Sequence, residues 1–316
     1  MDRTLKVYVA GHRGLVGRAL LRRLESAGME RIITRSSTEL DLRDQSATRA
    51  FFEQERPDIV ILAAARVGGI AANAKHPAQF ILDNLQIAAN VIEAAHQNGA
   101  RKLLNLGSSC IYPKMAPQPL REDSLLTGPL EPTNRAYAVA KIAAIELCDS
   151  FRAQYGSDFI SAMPTNLYGI GDNFDLTSSH VLPALMRKMH EAKHAGAQSV
   201  HVWGSGTPRR EFLHCDDLAE ACLFLLDHFS ESGPINVGTG RDSSIRELCE
   251  LIADIVGFRG KLEFDPAQPD GTPRKLLDVS RLHNAGWSAR IGLREGIEST
   301  YRWFLEHQHE LTRRAH

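Results

Sequence analysis

Cysteine is sparse and unpatterned in this chain: five stand among 316 residues, an odd number with no C-x-x-C pair. That excludes a disulfide framework and points to reduced thiols in a cytoplasmic compartment. A surplus of charge is also missing, with 37 basic side chains against 38 acidic ones, which argues against a nucleic-acid surface. No apolar run is long enough to span a bilayer, and the first residues lead straight into a strand, so neither a membrane partner nor a secretory leader is expected. No metal is expected: His12, His76, His96, His214 and the tail histidines lack ligand-like spacing. His214-Cys215-Asp216-Asp217 reads instead as a strand-to-helix junction with Asp caps.

What is present is an alternation of short apolar runs and helical periods. Residues 5–10 read as a buried strand, followed by a glycine loop and a helix over 15–27 with Leu15, Ala19, Leu20 and Leu24 on its apolar face. A second strand is expected over 31–34, and Asp41-Leu42-Arg43-Asp44 caps a helix reaching about Glu55. Strands over 58–63, 102–106 and 159–163 alternate with a long helix over 77–99 and one carrying Tyr137 to Tyr155. This pattern predicts an α/β fold with a doubly wound parallel sheet of the Rossmann kind. After Pro164 the strands (200–203, 211–213, 235–237 and 261–264) are short and separated by Gly, Pro and Ser. Residues 1–165 are therefore expected to bind a dinucleotide, with part of the later chain returning to that domain. Residues 166–316 are expected to form mainly a smaller, interleaved α/β substrate-binding region.

The loop Gly11-His12-Arg13-Gly14-Leu15-Val16-Gly17 has G-x-x-G-x-x-G spacing. Glycine permits the tight turn and lets backbone N–H groups approach a pyrophosphate at the helix N-terminus. A glycine triplet is often merely a loop; here the strand-loop-helix context of a dinucleotide site is met. NAD-selective folds place Asp or Glu at the end of the second strand. In this chain Thr34-Arg35-Ser36-Ser37 occupies that place, and Arg13 lies in the loop. Two guanidinium groups with no nearby carboxylate suit a 2′-phosphate, so the expected cofactor is NADPH/NADP+. The alternative for both arginines is plain solvation.

Tyr137 and Lys141 stand at i and i+4 and project from one helical face. An ammonium there is expected to lower the phenol from its usual pKa of about 10. Such a phenol can exchange a proton with a carbonyl oxygen while a nicotinamide moves hydride. Upstream, Leu106-Gly107-Ser108-Ser109-Cys110-Ile111-Tyr112-Pro113 ends the fourth strand, where ligands of such sheets bind. Ser108 would complete a Ser-Tyr-Lys set by donating to the carbonyl, or would simply form a turn.

The glycine loop, Ser108, the Tyr137–Lys141 pair and Asn166-Leu167-Tyr168-Gly169 resemble the extended short-chain dehydrogenase/reductase family acting on nucleotide sugars. Pro164-Thr165-Asn166-Leu167-Tyr168-Gly169, Trp203-Gly204-Ser205-Gly206-Thr207-Pro208 and Pro269-Asp270-Gly271-Thr272-Pro273-Arg274-Lys275 carry the resemblance through nearly the whole chain, to members that process GDP-linked sugars. It implies an NADPH-dependent 3,5-epimerisation and 4-reduction of GDP-4-keto-6-deoxy-D-mannose by a homodimer, pairing the Tyr137 helix and the 77–99 helix across a two-fold axis.

By the same resemblance Cys110 is the base and His180 the acid that invert C3 and C5, while Ser108 and Tyr137 hold the C4 oxygen. A thiol can act as base where nearby positive charge favours its thiolate. The plainer readings are a buried structural cysteine and a histidine that merely starts a helix. Cofactor contacts are implied for the loop, for Leu106, Gly107, Lys141, Pro164, Thr165, Asn166 and Leu167, and for His180. Lys188 and Arg210 are implied as diphosphate partners, Trp203 as a cover for base or sugar, and Asp270 as a further substrate contact. Relatives often have Arg where this chain has Lys188; an ammonium loses the bidentate fork. Arg209 is expected to be exposed. No acid follows Ser108-Ser109, which speaks against dehydration. Two alternatives remain: a nucleotide-sugar 4-ketoreductase without epimerisation, and a catalytically silent NADP-sensing protein.

Overall fold

The computed structural model describes residues 2–176, 178–268 and 270–313. In β1 (Lys6–Ala10) Val7 and Val9 enter one apolar cluster while Tyr8 and Ala10 enter another. A strand buried on both faces has no polar side to spare, hence its continuous apolar run. The glycine loop leads into α1 (Leu15–Ser26). Next come β2 (Arg31–Ile33) and α2 (Gln45–Glu55), whose Asp44 cap accepts from Ala47 N–H at 3.0 Å. The chain continues through β3 (Ile59–Leu62), α3 (Ile70–Lys75), α4 (Pro77–Gln97), β4 (Lys102–Leu106), α5 (Arg135–Tyr155) and β5 (Phe159–Pro164).

The second half holds β6 (Asn166–Tyr168), α6 (Val181–His194), β7 (Ser199–Trp203), β8 (Arg209–His214), α7 (Cys215–His228) and β9 (Pro234–Val237). It closes with β10 (Asp242–Ser244), α8 (Ile245–Val256), β11 (Lys261–Asp265), β12 (Arg274–Lys275), α9 (Ser280–Asn284) and α10 (Leu293–Arg313).

Six parallel strands form the main sheet in the order β2-β1-β3-β4-β5-β9. This is the α/β, doubly wound parallel arrangement expected from the sequence. One face packs on α1 and α7 through Leu20, Leu24, Leu218 and Leu225; the other packs on α2, α4 and α5 through Phe52, Val91, Ile92 and Cys148. Strand order reverses at β1, between β2 and β3, which opens a crevice at the carboxyl ends of β1 and β3. The glycine loop sits there.

β8 organises the remainder: β10 and β12 flank it, β6 pairs with it, and β7 pairs with β11. Met186 and Met189 of α6, Leu248 and Ile252 of α8 and Ile297 of α10 share a separate core. The short strands β6, β10 and β12 were not foreseen, since two or three residues carry no readable alternation. Among the described residues no helix is long and apolar enough to cross a membrane.

Candidate active site

The glycine loop is shaped for a ligand as well as for packing. A Cβ on Gly11 (φ +84°) would lie 2.7 Å from the backbone of Ala64, and one on Gly17 would strike the Gly11 carbonyl. At Gly14 a Cβ would meet ordinary contact only, 3.5 Å from Gly11 O, so packing within the protein does not require glycine there. Gly14 is the N-cap of α1 and no side chain caps the helix, which leaves first-turn N–H groups for an anion. His12 Nδ1 is buried and unpartnered beside them. Leu15 and Val16 are half-buried against the core of that face. These features fit a pyrophosphate.

Arg13 is exposed and Arg35 half-buried at the rim. The expectation that neither has a carboxylate nearby fails: Arg35 donates to Glu55 at 2.8 Å and to the Thr34 carbonyl. Both guanidiniums also act on Glu39, whose carboxyl is lowered chiefly by hydrogen bonds from Ser36. Arg35 additionally lies over the Phe51 ring at 5.5 Å. A 2′-phosphate at this place would compete with Glu55.

Beyond the loop, Leu106 ends β4 and Gly107 follows it, where a Cβ would run into Met163. Pro164 pairs with Val237 of β9. Thr165 and Asn166 donate to the Glu211 carbonyl at 3.3 and 2.7 Å, and Leu167 packs against the core. Together they wall the sheet's carboxyl edge where the nicotinamide end of a dinucleotide would reach.

Ser108, Cys110, Tyr137 and Lys141 converge at the end of β4. Ser108 starts a 3-10 turn and its Oγ accepts from Cys110 N–H at 3.4 Å. Lys141 is buried, and its Nζ donates to the Leu106 carbonyl at 2.7 Å while lying 5.8 Å from the Tyr137 ring centre. Phe80 meets Tyr137 edge-on at 6.4 Å. The expected lowering of the phenol is therefore not found. Burial pushes Tyr137 up, Cys110 adds to that, and burial lowers Lys141 to about 8. A raised phenol stays protonated through neutral pH, the state required of a group that gives its proton to an alkoxide.

Cys110 is buried, 8% exposed. Burial raises the thiol, opposed first by Lys275, then by the Ser108 hydrogen bond and by Lys141. It opens onto a cavity also lined by Tyr112, Glu131, Asn134, Thr272 and Lys275. Asn134 Oδ1 is buried there without a partner. His180 is the N-cap residue of α6; its residue surface is exposed, yet loss of solvent around the imidazole and then Lys275 lower its pKa. Lys275 thus faces both Cys110 and His180. Neither Lys275 nor Asn134 was assigned from the sequence. Lys275 lies in a two-residue strand, and Asn134 lies just before the helix that carries the more conspicuous tyrosine.

The residues expected to meet the substrate form two groups. Lys188 Nζ sits 5.9 Å from the Trp203 ring centre, and Trp203 is 71% exposed. Arg210 donates to the Arg209 carbonyl at 2.8 Å, and burial lowers its pKa against the pull of Asp270. Asp270 itself accepts from Ser205 N–H and Oγ at 2.7 and 2.8 Å. Pro269 of that motif lies outside the described residues. Arg209 is not free: it donates to Asp242 at 2.9 Å.

At the β8–α7 junction the cap is His214 rather than an aspartate, Nδ1 accepting from Asp216 N–H at 3.3 Å. His214, Cys215 and Asp216 bring ligand-type atoms within 4.8 Å of one another, but Arg22 already donates to Asp216.

A carbonyl-handling centre next to a dinucleotide loop defines an enzyme class, and the family follows. The chain belongs to the NAD dependent epimerase/dehydratase family, whose profile matches residues 7–238. It is 56% identical to GDP-L-fucose synthase 1 of Arabidopsis thaliana over 96% of this chain and 94% of the relative. It is 55% identical to the GDP-L-fucose synthase of Escherichia coli (strain K12), over 96% of this chain and 97% of the relative. Among solved structures it resembles a GDP-L-fucose synthetase from Naegleria fowleri bound to NADP, with a TM-score of 0.89 and 29% identity over 98% and 96% of the two chains.

Proposed function

We propose that this protein converts GDP-4-keto-6-deoxy-D-mannose to GDP-L-fucose, an NADPH-dependent 3,5-epimerisation followed by 4-reduction, as a cytoplasmic homodimer. The observation that carries the reading is the convergence of a cavity thiol, a protonated phenol and a buried ammonium at the end of β4 beside the glycine loop. Residues 1–165 would hold the dinucleotide and 166–316 mainly the sugar nucleotide, with Lys188 and Arg210 meeting the diphosphate, Trp203 covering base or sugar, and Asp270 adding a substrate contact.

The hydrogens at C3 and C5 are α to the carbonyl and therefore acidic. Ser108 and Tyr137 donate to the C4 oxygen and stabilise the enolate. Cys110 removes the α-hydrogens from one face, and His180 returns protons from the other. NADPH, when bound, supplies hydride to C4. Tyr137 then gives its proton to the alkoxide, and Lys141 stabilises the resulting phenolate.

The test incubates the protein with the keto sugar and NADPH in deuterated water. Loss of nicotinamide absorbance with label at C3 and C5 of the product is expected. Oxidation without label would leave a 4-ketoreductase; no oxidation at all would leave an NADP sensor.

A further inference from the structure

Lys275 is a half-buried lysine on β12 whose side-chain nitrogen, among the described residues, forms no hydrogen bond or ion pair. Other lysines in this protein behave differently: Lys102 pairs with Asp158 at 3.2 Å, and Lys193 donates to the Val256 carbonyl at 2.9 Å. Lys275 instead shares the wall of a cavity with Cys110. The charged and titratable groups that face the two are few. Cys110 meets Lys141 and Tyr137 from α5 and the Ser108 hydroxyl from its own turn. Lys275 meets Arg210 from the neighbouring strand β8, Glu131 from before α5, and His180 from the start of α6. Glu131, the one carboxylate in this set, is 3.8 Å from Lys114. A cation formed there alone is costly unless an anion joins it. The group placed to become that anion is the Cys110 thiol.

We propose that Lys275 and Cys110 act as an acid–base pair: the sulfur's proton is held on Lys275 Nζ, so that Cys110 enters the epimerisation as a thiolate. The S–H bond breaks, its electron pair stays on sulfur, and the proton forms an N–H bond on the neutral amine, with no net change of charge in the cavity. The thiolate then takes the substrate's α-proton while the C–H electron pair moves onto the enolate. Lys275 is a positioning residue that acts through Cys110. This inference rests on the proposed role of Cys110, but its test uses no sugar.

The experiment follows iodoacetamide labelling of Cys110 against pH in the full chain, read by peptide mass spectrometry. Iodoacetamide is neutral, so its rate reports thiolate rather than local charge. In Lys275→Met the pH midpoint is expected to rise by about one unit or more, and the rate at neutral pH to fall ~10-fold or more. Lys275→Arg should retain most of the low midpoint. Equal midpoints in the wild type and Lys275→Met would overturn the pairing, and so would a Lys275→Arg midpoint as high as that of Lys275→Met.

If Lys275→Met does not fold, the reciprocal measurement decides, because coupled groups titrate together. Acetylation of Lys275 should become easier, its midpoint moving down, in Cys110→Ser. An unmoved midpoint sinks the proposal. A wild type that pairs Lys275 with Cys110 yet exchanges no sugar hydrogens would refute the epimerase reading and leave the pair standing.

Discussion

Lys141 Nζ donates to the Leu106 carbonyl at 2.7 Å, joining the last residue of β4 to the second turn of α5. The lysine is thereby held close to the phenol without bonding to it, and its charge is stored in a buried place. Burial lowers it from 10.5 to about 8, so the fold holds the ammonium at a cost that is complete below pH 8 and fades as pH rises toward 10.5.

Lys141→Met should therefore separate activity from stability. Turnover is expected to fall by at least ~100-fold. Urea unfolding at pH 7 should show a gain of about 1–3 kcal/mol, shrinking above pH 8. A variant that loses stability at pH 7 would contradict this account.

Cys110→Ser is expected to abolish solvent deuterium entry at C3 and C5, by ~100-fold or more, before it lowers NADPH binding. Nuclear magnetic resonance of the recovered sugar measures the first, and fluorescence titration the second. Unchanged exchange would move the base elsewhere.

Asp172 offers a second pH test. It is 6% exposed, its Oδ1 accepts from Asn173 N–H at 2.7 Å, and Oδ2 is unpartnered. Burial raises its carboxyl from 3.8 to about 7. The folded state thus holds a proton that the unfolded state has released, and stability falls as pH climbs from about 4 to 7. Asp172→Asn keeps an acceptor and removes the ionisation. Its stability should match the wild type near pH 4 and exceed it above pH 7, by at most about 4 kcal/mol.

The Arg35–Glu55 pair predicts a competition at the cofactor rim. Glu55→Gln should release the guanidinium and tighten NADPH several-fold without altering NADH. Arg35→Ala should weaken NADPH ~10–100-fold, the worth of a charged hydrogen bond. Titrations at two salt concentrations would measure both, and equal effects on NADH would remove Arg35 from phosphate recognition.

Much of this architecture can be read in the residues because the physics is local. Val7 and Val9 against Tyr8 and Ala10 announce a strand covered on both sides, and the stretch from Asp41 to Asp44 announces a helix start, of which the structure uses Asp44. Tyr137 and Lys141 announce themselves by spacing. What spacing does not convey is where a charge ends up relative to distant neighbours. The direction of the Tyr137 shift is decided by burial, not by a lysine one turn away. Lys275 meets Cys110 only because β12 pairs with β8. The partner of Arg35 comes from the far end of α2, twenty residues on. Glu211, fully buried, accepts from Thr239, Gly240 and Leu277 N–H; it ties the loop after β9 to the segment after β12 and carries no signature at all.

The sheet's sixth strand, Pro234–Val237, arrives after β8 and α7 have been built. The nucleotide half is consequently not a portable cassette. A chimera spliced at residue 165 would leave Phe159–Pro164 as a raw apolar edge, open to pairing with another chain. Grafting new sugar preferences onto this scaffold must carry residues 215–237 along with the older half.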